Sequence, residues 1–227
     1  MLPAIIFDLD GTLIDSAPDL GNALNKTLNE IGRPELELSL IRNLVGDGAV
    51  ALIKRGLKAS GGIQGHNLGV LRSRFLDIYD DILLENTKLF PRALNALNEL
   101  KNSGFPLAIC TNKPEDPAKR ILEGLKIVNL FQSITGGDTF NFRKPDPRHL
   151  IKTIENTNRK KNFAIMIGDS ENDILPAIKI KIPSIAVSFG YSKKKIEDLK
   201  SDIILNDFDD LYQKIIFLCS KHFSIKI

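Results

Sequence analysis

Short apolar runs alternate with amphipathic segments along most of the chain. The runs at 4–8, 106–111, 133–136, 163–168, 184–187 and 203–205 are nearly free of polar positions. A short unbroken apolar run reads as a strand covered on both faces rather than one with a wet side. Between these runs, Leu94, Leu97 and Leu100 recur at helical spacing from Pro91 to Gly104. Asp116–Pro117 and Asp146–Pro147 each place a capping side chain before a proline at the first helical position. Strands alternating with such helices predict an α/β fold, a parallel sheet with helices on both faces.

Residues 16–88 break the alternation. No strand pattern occurs there, only helical stripes. Leu20, Leu24, Leu28 and Ile31 form the first, Val50, Ile53 and Leu57 the second, and Leu68, Leu71, Phe75, Ile78 and Ile82 the third. Gly32–Pro34 stops the first helix and Ser60–Gly61–Gly62 the second. The expected organisation is a core of residues 1–15 and 89–227 with a helical cap, 16–88, inserted after the first strand. Residues 15–17 and 89–91 are its two linkers.

Composition narrows the partners. The 227 residues are 43% hydrophobic and 26% charged, as in an ordinary folded protein. Thirty-one Lys+Arg against 28 Asp+Glu leave a net charge of +3, too small for a nucleic-acid footprint. No apolar run exceeds five residues, far short of a membrane span, and the N-terminus lacks a signal-peptide pattern. Cys110 and Cys219 share no close spacing, which makes a reducing cytoplasm the expected compartment.

Chemistry gathers where strands end. Asp8-Leu9-Asp10-Gly11-Thr12 closes the first strand with two carboxylates of shared orientation, at the edge where open parallel sheets bind ligands. A strand-closing Asx-turn is the structural alternative. Thr111-Asn112-Lys113-Pro114 offers a hydroxyl and an amide suited to phosphate oxygens, or else a turn. Arg143-Lys144-Pro145-Asp146-Pro147 sets a cation before a capped helix, as an anion site or as an exposed basic loop. Gly168-Asp169-Ser170-Glu171-Asn172-Asp173 carries hard oxygen ligands that suit magnesium, or serves as an acidic first helical turn.

The order of these four motifs resembles the haloacid dehalogenase-like hydrolase superfamily. VGDGA (45–49), TNKP (111–114), GGDTFNFRKPDP (136–147), GDSENDI (168–174) and SFGY (188–191) resemble its phosphoglycolate phosphatase branch. The resemblance implies a Rossmann-like core with a helical cap. It also implies a Mg²⁺-dependent phosphatase acting on a small phosphorylated metabolite, 2-phosphoglycolate foremost. Asp8 is then the nucleophile and Asp10 the general acid/base, with Thr111, Asn112 and Lys144 on the phosphoryl group. Asp8, Asp169 and the main-chain carbonyl of Asp10 hold the metal, and Asp173 supports it through water. Asp10 argues against a dehalogenase, because a halide leaving group needs no proton.

In the cap, Arg42, Lys54 and Arg55 are candidates for a substrate carboxylate, as is Lys113 beside the core site; solvated surface is the plainer reading of the cap cations. Asp47 stands where relatives often carry Asn. Pyrophosphate, a sugar phosphate, a nucleotide or phosphomutase chemistry are the alternative activities. A binding protein on the same scaffold is the alternative outside enzymes.

Overall fold

The computed structural model describes residues 1–225, so the last two positions of the 89–227 segment lie outside the described residues. The strands are β1 (Ala4–Phe7), β2 (Ile14–Asp15), β3 (Lys88–Leu89), β4 (Leu107–Cys110), β5 (Phe131–Thr135), β6 (Ala164–Gly168), β7 (Ser184–Val187) and β8 (Ile203–Leu205). The helices are α1 (Ala17–Asn29), α2 (Leu38–Arg42), α3 (Ala49–Ala59), α4 (Leu68–Asp81), α5 (Ala93–Asn102), α6 (Glu115–Gly124), α7 (Pro147–Glu155), α8 (Glu171–Ile180) and α9 (Leu211–Phe223).

Strands β1, β4, β6 and β7 are buried at every position, which accounts for their unbroken apolar sequence. Six strands form one sheet in the order β5-β4-β1-β6-β7-β8, with every pair parallel. One face, through Ile6, Ala108 and Met166, packs on Leu150, Ile154 and Ala177 of α7 and α8. The other, through Ile5, Phe7 and Ile109, packs on α5, α6 and α9. The chain is an α/β protein with a parallel sheet covered on both sides. Among the described residues no helix is long and apolar enough to cross a membrane.

Helices α1 to α4 lie between β2 and β3. These two short strands pair antiparallel, Ile14 opposite Leu89 and Asp15 opposite Lys88, and tie the outgoing chain to the returning one. Buried Asp19 reinforces the junction by accepting hydrogen bonds from the backbone of Asn86 and Thr87 and from both of their side chains. Two-residue strands carry too little periodicity to be read from sequence.

Three local expectations change. Helix α6 starts at Glu115, not behind Asp116, because Asp138 from a later loop accepts the Glu115 N–H at 2.8 Å and supplies the missing cap. Asp146 does cap α7, accepting from the Arg148 N–H at 2.9 Å. Leu94 and Val50 face solvent; the buried faces run through Ala93, Ala96, Leu97 and Leu100 in α5 and through Leu52, Ile53, Gly56 and Leu57 in α3. In α3 the Gly56 position gives Leu24 of α1 its room, since a Cβ there would lie 2.9 Å from the Leu24 Cδ1.

Candidate active site

The sheet register assembles the site. Phe7 lies opposite Ile109 on one side and Ile167 on the other, so the carboxyl ends of β1, β4 and β6 are level. Asp8, Thr111 and Asp169, each the residue just beyond its strand, therefore converge. Gly11 turns the chain away at φ +82°. A Cβ there would meet Asp169 Oδ2 at 2.6 Å and Tyr191 Cδ2 at 2.8 Å, so only glycine fits both the conformation and the space.

Asp8, Asp169 and Asp173 each bring a carboxylate oxygen within 4.8 Å of the others, all buried. One cation sits among them. Lys144 Nζ lies 2.5 Å from Asp173 Oδ1 and 2.9 Å from Asp8 Oδ1, with its side chain fully enclosed. The approach to Asp8 has ion-pair distance without hydrogen-bond geometry, leaving Oδ1 of Asp8 buried and unbonded. Asp173 is further held by the Ser170 N–H and hydroxyl at the start of α8, and Asp169 by the Tyr191 N–H at 2.6 Å.

Burial, then the Asp173 charge, push the Asp8 carboxyl up to about 7 against the pull of Lys144. Asp169 is raised for the same reasons: burial first, then Asp173 and Asp8. Burial opposes the Lys144 ammonium, but Asp173 and Asp8 outweigh it and hold its pKa above the ordinary value. Burial and mutual repulsion thus favour the protonated form of both carboxyls. Clustered hard oxygens, a buried carboxylate oxygen without a hydrogen bond and no sulfur or imidazole donor fit a divalent cation such as magnesium.

Asp10 stands apart from that cluster. Its carboxylate accepts from Ser16 Oγ and from Lys113 Nζ, at 2.9 and 3.2 Å for the two oxygens. The pairing follows from position: Lys113 lies three residues past β4, as Asp10 lies three past β1. Thr111, Asn112, Asp8 and Asp10 line a shared cavity roofed by Leu20, Leu52 and Phe75 of the 16–88 segment. Asn112 Nδ2 donates to the carbonyl of Lys144 at 3.1 Å and approaches that of Gly46.

Of the sequence candidates, Asp8, Asp10, Thr111, Asn112, Lys144, Asp169 and Asp173 are therefore brought together, and Lys113 with them. The cations of residues 16–88 are not. Arg42 grips Asp15 through two hydrogen bonds, at 3.1 and 2.7 Å, and stacks over Tyr191. Arg55 pairs with Asp47, and Lys54 is exposed. Asp47 also accepts from Asn172 at 2.7 Å, bridging residues 16–88 to α8.

Two tyrosines escaped sequence reasoning. Tyr191 connects Asp169 to the first linker: its hydroxyl donates to Asp15 and accepts from the Ala17 N–H. Its place in the SFGY segment was the available signal. Tyr79 of α4 accepts from Lys113 Nζ at 2.8 Å, and nothing local in its sequence marks it.

Residues 5–187 match the family model for haloacid dehalogenase-like hydrolases. The chain is similar to the phosphoglycolate phosphatase of Agrobacterium fabrum, 40% identical over 207 residues, covering 91% of this chain and 89% of that one. It is 36% identical to the phosphoglycolate phosphatase of Caulobacter vibrioides, covering 94% and 91%. A crystal structure described as a predicted phosphoglycolate phosphatase from Haemophilus somnus superposes with a TM-score of 0.88 at 28% identity, covering 94% of this chain and 97% of that one.

Proposed function

The chain belongs to the haloacid dehalogenase-like hydrolase family, and from that premise we propose that it is a magnesium-dependent phosphatase whose substrate is 2-phosphoglycolate. The observation that carries this is the division of labour between two carboxylates of one motif. Asp8 joins Asp169, Asp173 and Lys144, while Asp10 faces the cavity and Lys113. The names of the relatives and the matched family support the substrate.

In this reading Asp8, Asp169 and Asp173 would hold the cation, which offsets phosphoryl charge when bound. Thr111, Asn112 and Lys144 orient the phosphoryl oxygens. An Asp8 oxygen bonds to phosphorus as the ester P–O bond breaks, and the departing alkoxide takes a proton from Asp10. Asp10 then removes a proton from water, which attacks phosphorus, releasing phosphate and restoring Asp8. Residues 16–88 act as a cap over the cavity and limit water access. Two unpaired buried cysteines support a cytoplasmic setting.

The test is phosphate release from 2-phosphoglycolate. The expected result is turnover with Mg²⁺, none with EDTA, and a loss of at least about a thousandfold for Asp8→Asn. Activity that survives both changes would overturn the mechanism. Pyrophosphate, sugar phosphates and nucleotides belong in the same panel, and a tenfold higher kcat/KM for one of them would replace the proposed substrate.

A further inference from the structure

The cavity beside Asp10 carries charge that phosphoryl binding does not use. Lys113 is the cation lining it, enclosed to 4% side-chain exposure, and the wall from residues 16–88 is apolar apart from the Tyr79 hydroxyl. Lys144 is engaged by Asp8 and Asp173 and does not line this cavity. The cap cations that could compete are turned elsewhere, Arg42 to Asp15 and Arg55 to Asp47. Whatever leaves from phosphorus on the Asp10 side thus meets one buried ammonium.

Lys113 does not stand alone. Its Nζ contacts both Asp10 oxygens and donates to the Tyr79 hydroxyl, which belongs to the inserted helix α4. Burial opposes the ammonium, but Asp10 and Tyr79 outweigh it, so Lys113 stays charged. Burial also pushes the Tyr79 hydroxyl up to about 12, so it keeps its proton. Because Tyr79 accepts from Lys113, its own O–H is free to donate elsewhere. Among the described residues no acceptor takes that proton.

We propose that Lys113 and Tyr79 form a subsite for the leaving group, which selects esters bearing a carboxylate one methylene from the ester oxygen. The inference rests on the phosphatase reading and deepens it. Asp10 exchanges its proton with the ester oxygen, and Lys113 lies within hydrogen-bond reach of Asp10. A carboxylate one carbon further on therefore falls against the ammonium and the Tyr79 hydroxyl. An alkyl leaving group offers them no acceptor, and a cationic one is repelled. Sites built to bond a polar group discriminate strongly against analogues lacking it. Since Tyr79 comes from the insertion and Lys113 from the core, the same carboxylate would hold the two segments together over the substrate.

The experiment compares kcat/KM for 2-phosphoglycolate, ethyl phosphate and phosphoethanolamine in the wild type, Tyr79→Phe and Lys113→Gln, all with Mg²⁺. The expected wild-type order is anionic, neutral, cationic. Each variant should lower the ratio of phosphoglycolate to ethyl phosphate by about ten- to a hundredfold, as loss of a hydrogen bond to a charged group does. Tyr79→Phe keeps the ring that stacks on Phe75 at 5.9 Å, so folding is retained. A ratio unchanged within twofold in both variants overturns the inference and leaves the phosphatase standing. So does a wild type indifferent to leaving-group charge. Hydrolysis of none of the three esters overturns the phosphatase reading and the subsite with it.

Discussion

Replacing Lys144 by Met should destabilise the protein in a manner set by the charges it leaves behind. Lys144 is the cation enclosed among Asp8, Asp169 and Asp173, with contacts of 2.5 and 2.9 Å and no exposed side-chain surface. Met matches its length, so the change removes charge without opening a large void. Breaking a buried ion pair from one side costs about 3–5 kcal/mol. At about 2–4 °C per kcal/mol for a chain of this size, the melting temperature should fall by about 6–20 °C in EDTA at pH 8.

The loss must depend on pH. Asp8 holds its proton up to about 7 in the folded wild type, against an ordinary 3.8. The folded state therefore binds more protons than the unfolded state between these values, and stability falls as pH rises across that window. Without Lys144 the carboxylates hold protons to still higher pH, which extends the window upward. The deficit of the variant should accordingly be smaller at pH 5.5 than at pH 8. Mg²⁺ should narrow it at pH 8 by supplying positive charge. Thermal denaturation by circular dichroism at both pH values, with EDTA and with Mg²⁺, reads all of this. A variant that melts within about 2 °C of wild type at pH 8 in EDTA would refute the electrostatic account.

Asp19→Ala should cost at least about 3 kcal/mol in urea denaturation, because the Asn86 and Thr87 N–H groups lose their buried acceptor; a cost under about 1 kcal/mol would mean that the junction is held by other contacts. Gly11→Ala should raise the Mg²⁺ concentration for half-maximal activity at least about tenfold, since its Cβ would displace Asp169. An unaltered metal requirement would contradict that geometry.

The parallel sheet and the edge where the candidate residues gather were legible in the chain. Strands covered on both faces must be apolar throughout, and β1, β4 and β6 are. Residues at strand ends then share an edge through register alone, so Asp8, Thr111 and Asp169 could be grouped before any side chain was placed. The start of α6 was not legible, because its cap is Asp138, far along the chain. Neither was the β2–β3 pair, whose two residues per strand hold no period.

The cations divide along the same line. Local sequence identifies Lys144 as a charge beside a capped helix, and no neighbour in the chain reveals that Asp173 lies 2.5 Å away. Arg42, Arg55 and Lys113 look equivalent as basic residues near candidate loops. Packing separates them: Asp15 takes the first, Asp47 the second, and the third is enclosed between Asp10 beyond β1 and Tyr79 of α4. Periodicity and strand ends are properties of consecutive residues, so they survive in a one-dimensional reading. A charge's partner is chosen by distance in the folded chain, where residues 34 and 103 positions apart meet on one ammonium.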